Sequence, residues 1–418
     1  MNFCKNILAL AGVLVTLAAC GGGSSSSSWP TSSQTVAAAY IQSAAFRNTS
    51  TMMMWGNNGY GQLGNSNSGN SQTPVAVNSL SRIKAGSVGG THTLGIDTAN
   101  NVWAWGNNGY GQLGNHTVTA SSQPVRIFTN YSTQSYLASV SSVAAGGYHS
   151  LALDNNRNVW IWGVTTWQNI NTGTPLDFSQ TARLVLNPVN GIGLNAAMIA
   201  AGGNHSLALD RIDGSVWAWG NNYRGQLGDN TITIRNEPVQ VVDVTGAGIL
   251  TGVLAIAAGG SHSLAIVDDG SQRTGTVVAW GYGNYGQLGN NTYAADPRNT
   301  VYSMIPVQVV IDANNTPLTG VIAIAAGLDH SLALDSNGNV WAWGYNLYGQ
   351  LGNTTVKDSP VAVKISGLSS IDRILAIGYH SLAFSGSSAW GWGYNAYGQV
   401  GNNSTSNVLS PTPVAGFP

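Results

Sequence analysis

The sequence predicts an all-β protein, a seven-bladed β-propeller whose blades are four-stranded antiparallel sheets, and three observations support this prediction. One unit recurs along the chain, with a Trp-Gly pair at the same place in each of seven copies. Each copy holds four short apolar runs separated by turn residues. Charged residues make up only 7% of the chain, against about a quarter in ordinary soluble domains, so few charge pairs are available to support helices. Four antiparallel strands repeated radially are the architecture of a propeller.

Each unit contains the same elements in the same order. A His-Ser-Leu-Ala-Leu run such as residues 149–153 precedes a tryptophan-rich run, and a turn ending in Gly-Gln-Leu-Gly follows in most units. The third unit departs from this, with residues 168–171 reading Gln-Asn-Ile-Asn. A Pro-Val strand start comes next, and proline there suits an edge strand, where no ladder hydrogen bond is missed. The Trp-Gly pairs begin at Trp55, Trp105, Trp162, Trp219, Trp280, Trp343 and Trp392.

These motifs resemble the repeats of the regulator of chromosome condensation family, and the resemblance covers the chain from Thr35 onward. It implies a seven-bladed propeller, which agrees with the number of units. The family includes nucleotide-exchange factors for small GTPases, ubiquitin ligases that carry an extra catalytic domain, and secreted propellers similar to β-lactamase inhibitory proteins. Fold alone selects none of these functions.

The two ends of the chain predict how the ring closes. Residues 36–46 match residues 143–153 if Gln42 stands where other units have histidine. The final Pro413-Val414 is a strand start with no further strands after it. We therefore expect the N- and C-terminal strands to share one blade, which removes open sheet edges.

The N-terminus predicts export and lipid anchoring. Lys5 precedes the apolar run from Ile7 to Ala19, which is short for a permanent membrane span and suits a signal peptide. The run ends in Leu-Ala-Ala-Cys20, which resembles a bacterial lipobox; the alternative is an ordinary secretory signal with a chance cysteine. We expect a signal peptide over 1–19, a lipidated Cys20 with a Gly/Ser-rich tether over 20–34, and the propeller over 35–418. Gly21 resembles the Gram-negative sorting signal for the outer membrane, which predicts a cell-envelope lipoprotein.

Composition and motif chemistry favour binding over catalysis. The net charge of −1 and the lack of a Lys/Arg cluster predict no nucleic-acid partner. Six histidines recur at one unit position, too far apart around a ring to share a zinc ion, so we expect hydrogen bonds that tie strands together and no metal or other cofactor. We find no paired carboxylates with a reason for a raised pKa, and neighbours such as His149 and Ser150 point to opposite strand faces. Asp154, Asp210 and Asp335 are expected to cap their own hairpin turns. The histidines are His92, His149, His205, His262, His330 and His380.

One constellation predicts a binding surface. The residue before the Gly-Gln-Leu-Gly position is aromatic in six units and arginine in the fourth. Equivalent loops emerge on one rim, so these residues predict a belt of the types that dominate interface hot spots; alternatively, the rings only cover the neighbouring blade. Trp167 and Arg224 depart most from the pattern. The set is Tyr60, Tyr110, Trp167, Arg224, Tyr285, Tyr348 and Tyr397.

We therefore expect a binding or scaffold module for an unidentified extracytoplasmic protein, without enzymatic activity. An inhibitor of a secreted or envelope enzyme is the first alternative. A nucleotide-exchange factor is the next, although the inner membrane would separate an exported lipoprotein from a cytosolic GTPase. A glycan-binding propeller is the last.

Overall fold

The computed structural model describes residues 51–417 apart from 79, 81, 167–176, 295 and 297–298, together with residues 10–11, 13–14, 37–38 and 42–47. All regular secondary structure in these ranges is β-strand, as the composition predicts. No helix able to cross a bilayer occurs among them. The predicted signal peptide is described only at β1 (Leu10–Ala11) and β2 (Val13–Leu14), which pair with each other. Cys20 and the tether over 20–34 lie outside the described residues.

The described residues form seven four-stranded antiparallel blades, which confirms the predicted fold class. The first blade consists of β3 (Ala37–Ala38), β4 (Gln42–Arg47), β5 (Thr51–Gly56) and β6 (Ser71–Ala76). The second consists of β7 (Ile83–Val88), β8 (His92–Asp97), β9 (Val102–Gly106) and β10 (Ser121–Arg126), and a hairpin of β11 (Phe128–Asn130) and β12 (Ser135–Tyr136) follows it. The third consists of β13 (Val140–Ala145), β14 (His149–Asp154), β15 (Val159–Val164) and β16 (Phe178–Leu184).

The remaining four blades follow the same plan. The fourth consists of β17 (Ala196–Ala201), β18 (His205–Asp210), β19 (Val216–Gly220) and β20 (Arg235–Gln240). The fifth consists of β21 (Val253–Ala258), β22 (His262–Asp268), β23 (Gly275–Tyr282) and β24 (Tyr302–Gln308). The sixth consists of β25 (Val321–Ala326), β26 (His330–Asp335), β27 (Val340–Gly344) and β28 (Ser359–Lys364). The seventh consists of β29 (Arg373–Ile377), β30 (His380–Ser385), β31 (Ser388–Gly393) and β32 (Val408–Pro413).

Each terminal blade is built from one end of the chain, so the expected blade shared between the ends is not among the described sheets. The first blade uses residues 37–76 and the seventh uses residues 373–413. The physical reason is the place of the Pro-Val strand, which pairs with the tryptophan-bearing strand before it and thus ends its own unit. β32 accordingly completes the seventh blade by pairing with β31.

The hydrophobic core lies between adjacent blades. The Trp105 side chain of the second blade is fully buried, and its indole lies beside Gly64, the last residue of the Gly-Gln-Leu-Gly turn of the first blade. Gly64 has φ +66°, and a Cβ there would come within 2.7 Å of the Trp105 indole nitrogen. Any other residue would therefore strain the backbone and collide with the tryptophan. This contact explains why the turn ends in glycine.

Candidate functional site

Two sets of loops meet at one end of the propeller. The loop before each buried histidine and the loop after each Trp-Gly pair emerge together, because the histidine strand begins where the tryptophan strand ends. Main-chain hydrogen bonds lock the two loops to each other: the Tyr345 N–H donates to the Asp329 carbonyl oxygen at 2.9 Å, and the Tyr394 N–H donates to that of Tyr379 at 2.8 Å. The residue after each Trp-Gly pair therefore lies beside the residue before a histidine.

A buried asparagine fixes the turn that carries the predicted belt residue in five of the seven units. The Asn346 side-chain amide donates to the carbonyl oxygens of Thr355 and Lys357, both at 3.0 Å. Its Oδ1 accepts from the Leu351 N–H at 2.9 Å. The sequence analysis missed these residues, although an asparagine recurs at one place after Trp-Gly in five units. They are Asn58, Asn108, Asn222, Asn346 and Asn395, all buried.

Blades five to seven carry a continuous array of tyrosine rings at this end, which we call the tyrosine face. Ring centroids of Tyr285 and Tyr345 lie 4.6 Å apart, and those of Tyr348 and Tyr394 lie 4.9 Å apart. Tyr379 links the two pairs, at 5.5 Å from both Tyr345 and Tyr348. The tilted and edge-on geometries are those that aromatic rings prefer. The tyrosine face consists of Tyr282, Tyr285, Tyr345, Tyr348, Tyr379, Tyr394 and Tyr397.

The predicted belt is therefore continuous over part of the ring. Its members Tyr285, Tyr348 and Tyr397 belong to the tyrosine face. Arg224 is exposed at the edge, with its guanidinium carbon 5.4 Å from the centre of the Tyr282 ring. The rings are half-buried by one another. They therefore pack against neighbouring blades and also present surface for binding, so each of the two predicted roles describes them in part.

Three predicted residues lie away from the tyrosine face or outside the description. Tyr60 is 50% exposed. Tyr110 packs instead on Tyr148 and Phe178 of the third blade, with ring centroids 5.4 and 6.4 Å away. Trp167 lies outside the described residues.

Sequence reasoning missed four of the seven members of the tyrosine face, namely Tyr282, Tyr345, Tyr379 and Tyr394. Tyr282, Tyr345 and Tyr394 directly follow the Trp-Gly pairs of units five to seven, where units one, two and four have Trp-Gly-Asn. That asparagine serves the turn itself: Asn57 Oδ1 accepts from the Gln62 amide at 2.7 Å. The change from asparagine to tyrosine was the available signal, and it marks the same three blades.

Asp329 places a carboxylate within the tyrosine face. It accepts hydrogen bonds from the Gln287 amide at 3.2 Å and from the Tyr379 hydroxyl at 3.3 Å. Burial raises the pKa of Asp329 to about 6 against these two bonds, and the charge of Asp358 adds to the rise. Burial also raises the pKa of Tyr345 to about 12, so this phenol stays protonated at neutral pH. The sequence analysis found no reason for a raised carboxylate pKa, because local sequence does not show burial.

The six recurring histidines form a ring of contacts between blades. Each is fully buried, with its Nε2 between 2.7 and 3.0 Å from a serine Oγ of the next blade. Gln42 occupies the equivalent register, opposite Gly56, and its amide donates to Thr93 Oγ1 at 3.3 Å. This confirms that Gln42 takes the histidine position in the first blade. The bonds tie whole blades together, rather than only the strands of one sheet.

These serine–histidine pairs are sealed from solvent and fixed in direction. Ser150 Oγ donates its one proton to the Gln112 carbonyl oxygen at 2.9 Å, so His92 Nε2 must donate to Ser150. Burial lowers the pKa of His92 to about 3 and that of His149 to about 4, which keeps both imidazoles neutral. Neither group can reach a substrate. No group of three residues suited to hold a metal ion occurs in the described ranges.

The aspartates behave as predicted, since each caps its hairpin. Asp154 accepts from the Asn158 N–H at 2.9 Å and Asp335 from the Asn337 N–H at 2.9 Å. Asp210 accepts from the Ile212 N–H at 2.7 Å. All three lie at the opposite end of the blades from the tyrosine face.

Comparison with known proteins supports the same architecture. The RCC1-like domain matches residues 181–417, and the regulator of chromosome condensation repeat matches residues 53–96 and 100–153. The chain is 32% identical over 245 residues to the human probable E3 ubiquitin-protein ligase HERC4, covering 57% of this chain and 21% of the ligase. It is 27% identical over 303 residues to the ultraviolet-B receptor UVR8 of Arabidopsis thaliana, covering 71% of this chain and 61% of the receptor.

A solved structure agrees over most of the ring. Prp20p from Saccharomyces cerevisiae superposes with a TM-score of 0.72 at 24% identity, covering 90% of this chain and 87% of Prp20p. The likeness is one of fold. By contrast, the matched region spans only 21% of the human ligase.

Proposed function

This chain belongs to the RCC1-like domain family, and we propose that it is a protein-binding propeller that presents the tyrosine face to a protein partner. The observation that carries the proposal is the unbroken array of seven tyrosine rings across blades five to seven. Tyrosine is enriched at interface hot spots because one residue offers a large apolar surface and a polar tip. Prp20p, which shares the fold, is described as binding Gsp1p and histones, a precedent for protein partners on this scaffold.

The geometry of the loops supports recognition without rearrangement. The buried asparagines hold the turns through several hydrogen bonds each, as Asn346 does with Thr355, Lys357 and Leu351. The main-chain bond from Tyr345 to Asp329 holds the neighbouring loop in place. A surface held in this way loses little conformational entropy when a partner binds.

We further propose that the protein works in the cell envelope, anchored through a lipid on Cys20 and sorted to the outer membrane. The lipobox-like Leu-Ala-Ala-Cys20 and the following Gly21 support this location. The Gly/Ser-rich tether would let the propeller body reach a partner at some distance from the bilayer. We propose that it acts by binding and not by catalysis, in keeping with serine–histidine pairs that are closed to substrate.

A crosslinking pull-down from envelope extracts tests the protein-binding role. The bait is the intact lipoprotein, compared with Tyr348→Ala and Arg224→Ala variants and with Tyr110→Ala as the matched control. Tyr110 holds the same turn position as Tyr348 but lies outside the tyrosine face. We expect a specific partner that Tyr110→Ala retains and Tyr348→Ala loses. Equal capture by all three variants would show that the tyrosine face is not the binding surface.

A further inference from the structure

The inference starts from the position of Asp329 in the repeat. The residue before the buried histidine differs between units, and only the sixth has an acidic side chain there. The other units have Thr91, Tyr148, Asn204, Ser261 and Tyr379 in this place. Asp329 is thus a feature of one blade and not of the repeat, and it coincides with the middle of the tyrosine face.

Asp329 has no ion-pair partner in the described part of the chain. The ion pairs found there join Arg235 to Asp229 and Arg373 to Asp372. The two hydrogen bonds to Asp329 are long, at 3.2 and 3.3 Å, and both come from neutral donors. Burying an ionised carboxylate is unfavourable unless a cation compensates it.

The surroundings of Asp329 add negative potential. Asp358 is close enough for its charge to raise the pKa of Asp329. The faces of aromatic rings carry the negative part of their quadrupole, and Tyr345 and Tyr379 both lie within reach of this charge. Arg224 stands over Tyr282 at the edge of the face, and the exposed Lys357 precedes Asp358 in the chain. Neither forms an ion pair with Asp329 in the described residues.

We propose that the tyrosine face recognises an arginine or lysine side chain of its protein partner, whose charge lies against the rings of Tyr345, Tyr348 and Tyr379 and is directed at Asp329. This inference rests on the proposed protein-binding function and specifies the chemistry of the partner. A guanidinium suits the site best, because its plane stacks on aromatic rings while its N–H groups donate to a carboxylate. A neutral glycan would use the ring faces but would leave the carboxylate uncompensated.

A fluorescence titration with defined probes tests this chemistry. The probes are a labelled peptide of alternating arginine and serine, an identical peptide with citrulline in place of arginine, and a labelled neutral oligosaccharide. The protein variants are Asp329→Asn, which removes the charge but keeps the shape, and Tyr348→Ala. Their matched controls are Asp269→Asn, which makes the same charge change in the exposed hairpin at the far end of the fifth blade, and Tyr110→Ala.

We expect the arginine peptide to bind and the citrulline peptide to bind at least about tenfold more weakly, because the cation supplies the contact. Asp329→Asn and Tyr348→Ala should each weaken binding of the arginine peptide by about tenfold, with both controls unchanged. Equal loss with Asp269→Asn, no binding of the arginine peptide, or preferred binding of the oligosaccharide would each overturn the inference. If Tyr348→Ala abolishes capture of the envelope partner while Asp329→Asn does not, the cation chemistry fails and the protein-binding function stands.

Discussion

Ser43 of the first blade accepts a hydrogen bond from His380 of the seventh, with 2.7 Å between Oγ and Nε2, and so joins the two ends of the chain. The same hydroxyl donates to the Gln399 carbonyl oxygen at 2.8 Å, and the Trp55 indole N–H donates to that oxygen at 2.9 Å. The six other seams repeat the contact between the histidine or glutamine position and the next hydroxyl. At this one seam, however, no loop connects the blades covalently.

Ser43→Ala should therefore weaken closure of the ring. The change leaves the buried His380 Nε2–H and the Gln399 carbonyl without the Ser43 hydroxyl, and an unsatisfied buried polar group costs about 1–3 kcal/mol. We expect the free energy of unfolding in urea to fall by roughly this amount. Ser150→Ala, which breaks the same contact at a seam with a covalent connection, is the matched control. Unchanged unfolding of Ser43→Ala would show that this bond does not hold the ends together.

Stability should fall as the pH drops below neutrality. The histidines have folded pKa values of about 3 to 4, below the ordinary value of about 6.5 that applies once they unfold. Between these limits the unfolded chain binds more protons, so stability rises with pH, and each histidine contributes up to about 1.4 kcal/mol per pH unit. Asp329 opposes this trend with one group, because between its ordinary pKa and its raised pKa of about 6 the folded chain binds more protons, so its contribution to stability is lost as the pH rises. Unfolding in urea should be measured at several pH values between about 7 and 4. We expect the free energy of unfolding to fall steeply as the pH drops across this window. A free energy that does not change with pH would contradict the buried neutral state of the histidines.

His149→Gln should be tolerated better than His149→Ala. Gln42 already fills this position in the first blade and reaches Thr93 through its amide, and a glutamine at position 149 can donate to Ser206 in the same way. We expect a smaller loss of melting temperature for glutamine than for alanine, and a shallower dependence of stability on pH for both. Equal losses would argue against the hydrogen bond as the reason for the histidine. Stoichiometric zinc or copper that disappears on mutation would favour a metal role instead.

Cys20→Ser should release the protein from the membrane or block its processing. Acyl chains supply the membrane affinity, at about 0.8 kcal/mol per buried methylene. The expected result is a shift from the membrane to the soluble fraction, or accumulation of the unprocessed chain. A variant that fractionates like the parent would exclude lipid anchoring while leaving the propeller and its binding surface unaffected.

The fold was predictable because short sequence motifs that recur in each unit determine it. The number of Trp-Gly pairs gives the number of blades, and Gln42 can be aligned with the histidines although its chemistry differs. The register with Gly56 confirms that alignment. The point along the chain where one blade ends and the next begins was less predictable, since a Pro-Val strand has the same sequence whether it begins one blade or ends another. Only the three-dimensional structure shows that this strand pairs with the strand before it.

The candidate site was predictable only in part, because it depends on contacts between units. Tyr285 and Tyr348 occupy the position singled out by the repeat, but the rings that connect them, such as Tyr345, belong to another position of the next blade. The burial of Asp329 likewise comes from loops of neighbouring blades, as its bonds with Gln287 and Tyr379 show. A single unit read alone contains neither relationship.

Because each described blade is formed by one continuous stretch of chain, none of the described sheets combines strands from the two ends. Duplication or loss of a whole unit would leave every remaining sheet intact, and away from the Gln42–Thr93 contact the new seam would pair a serine with a histidine. The chain ends could equally be moved to another seam by circular permutation. New chain ends placed outside blades five to seven would keep the tyrosine face, which occupies three neighbouring blades, within one continuous stretch of chain.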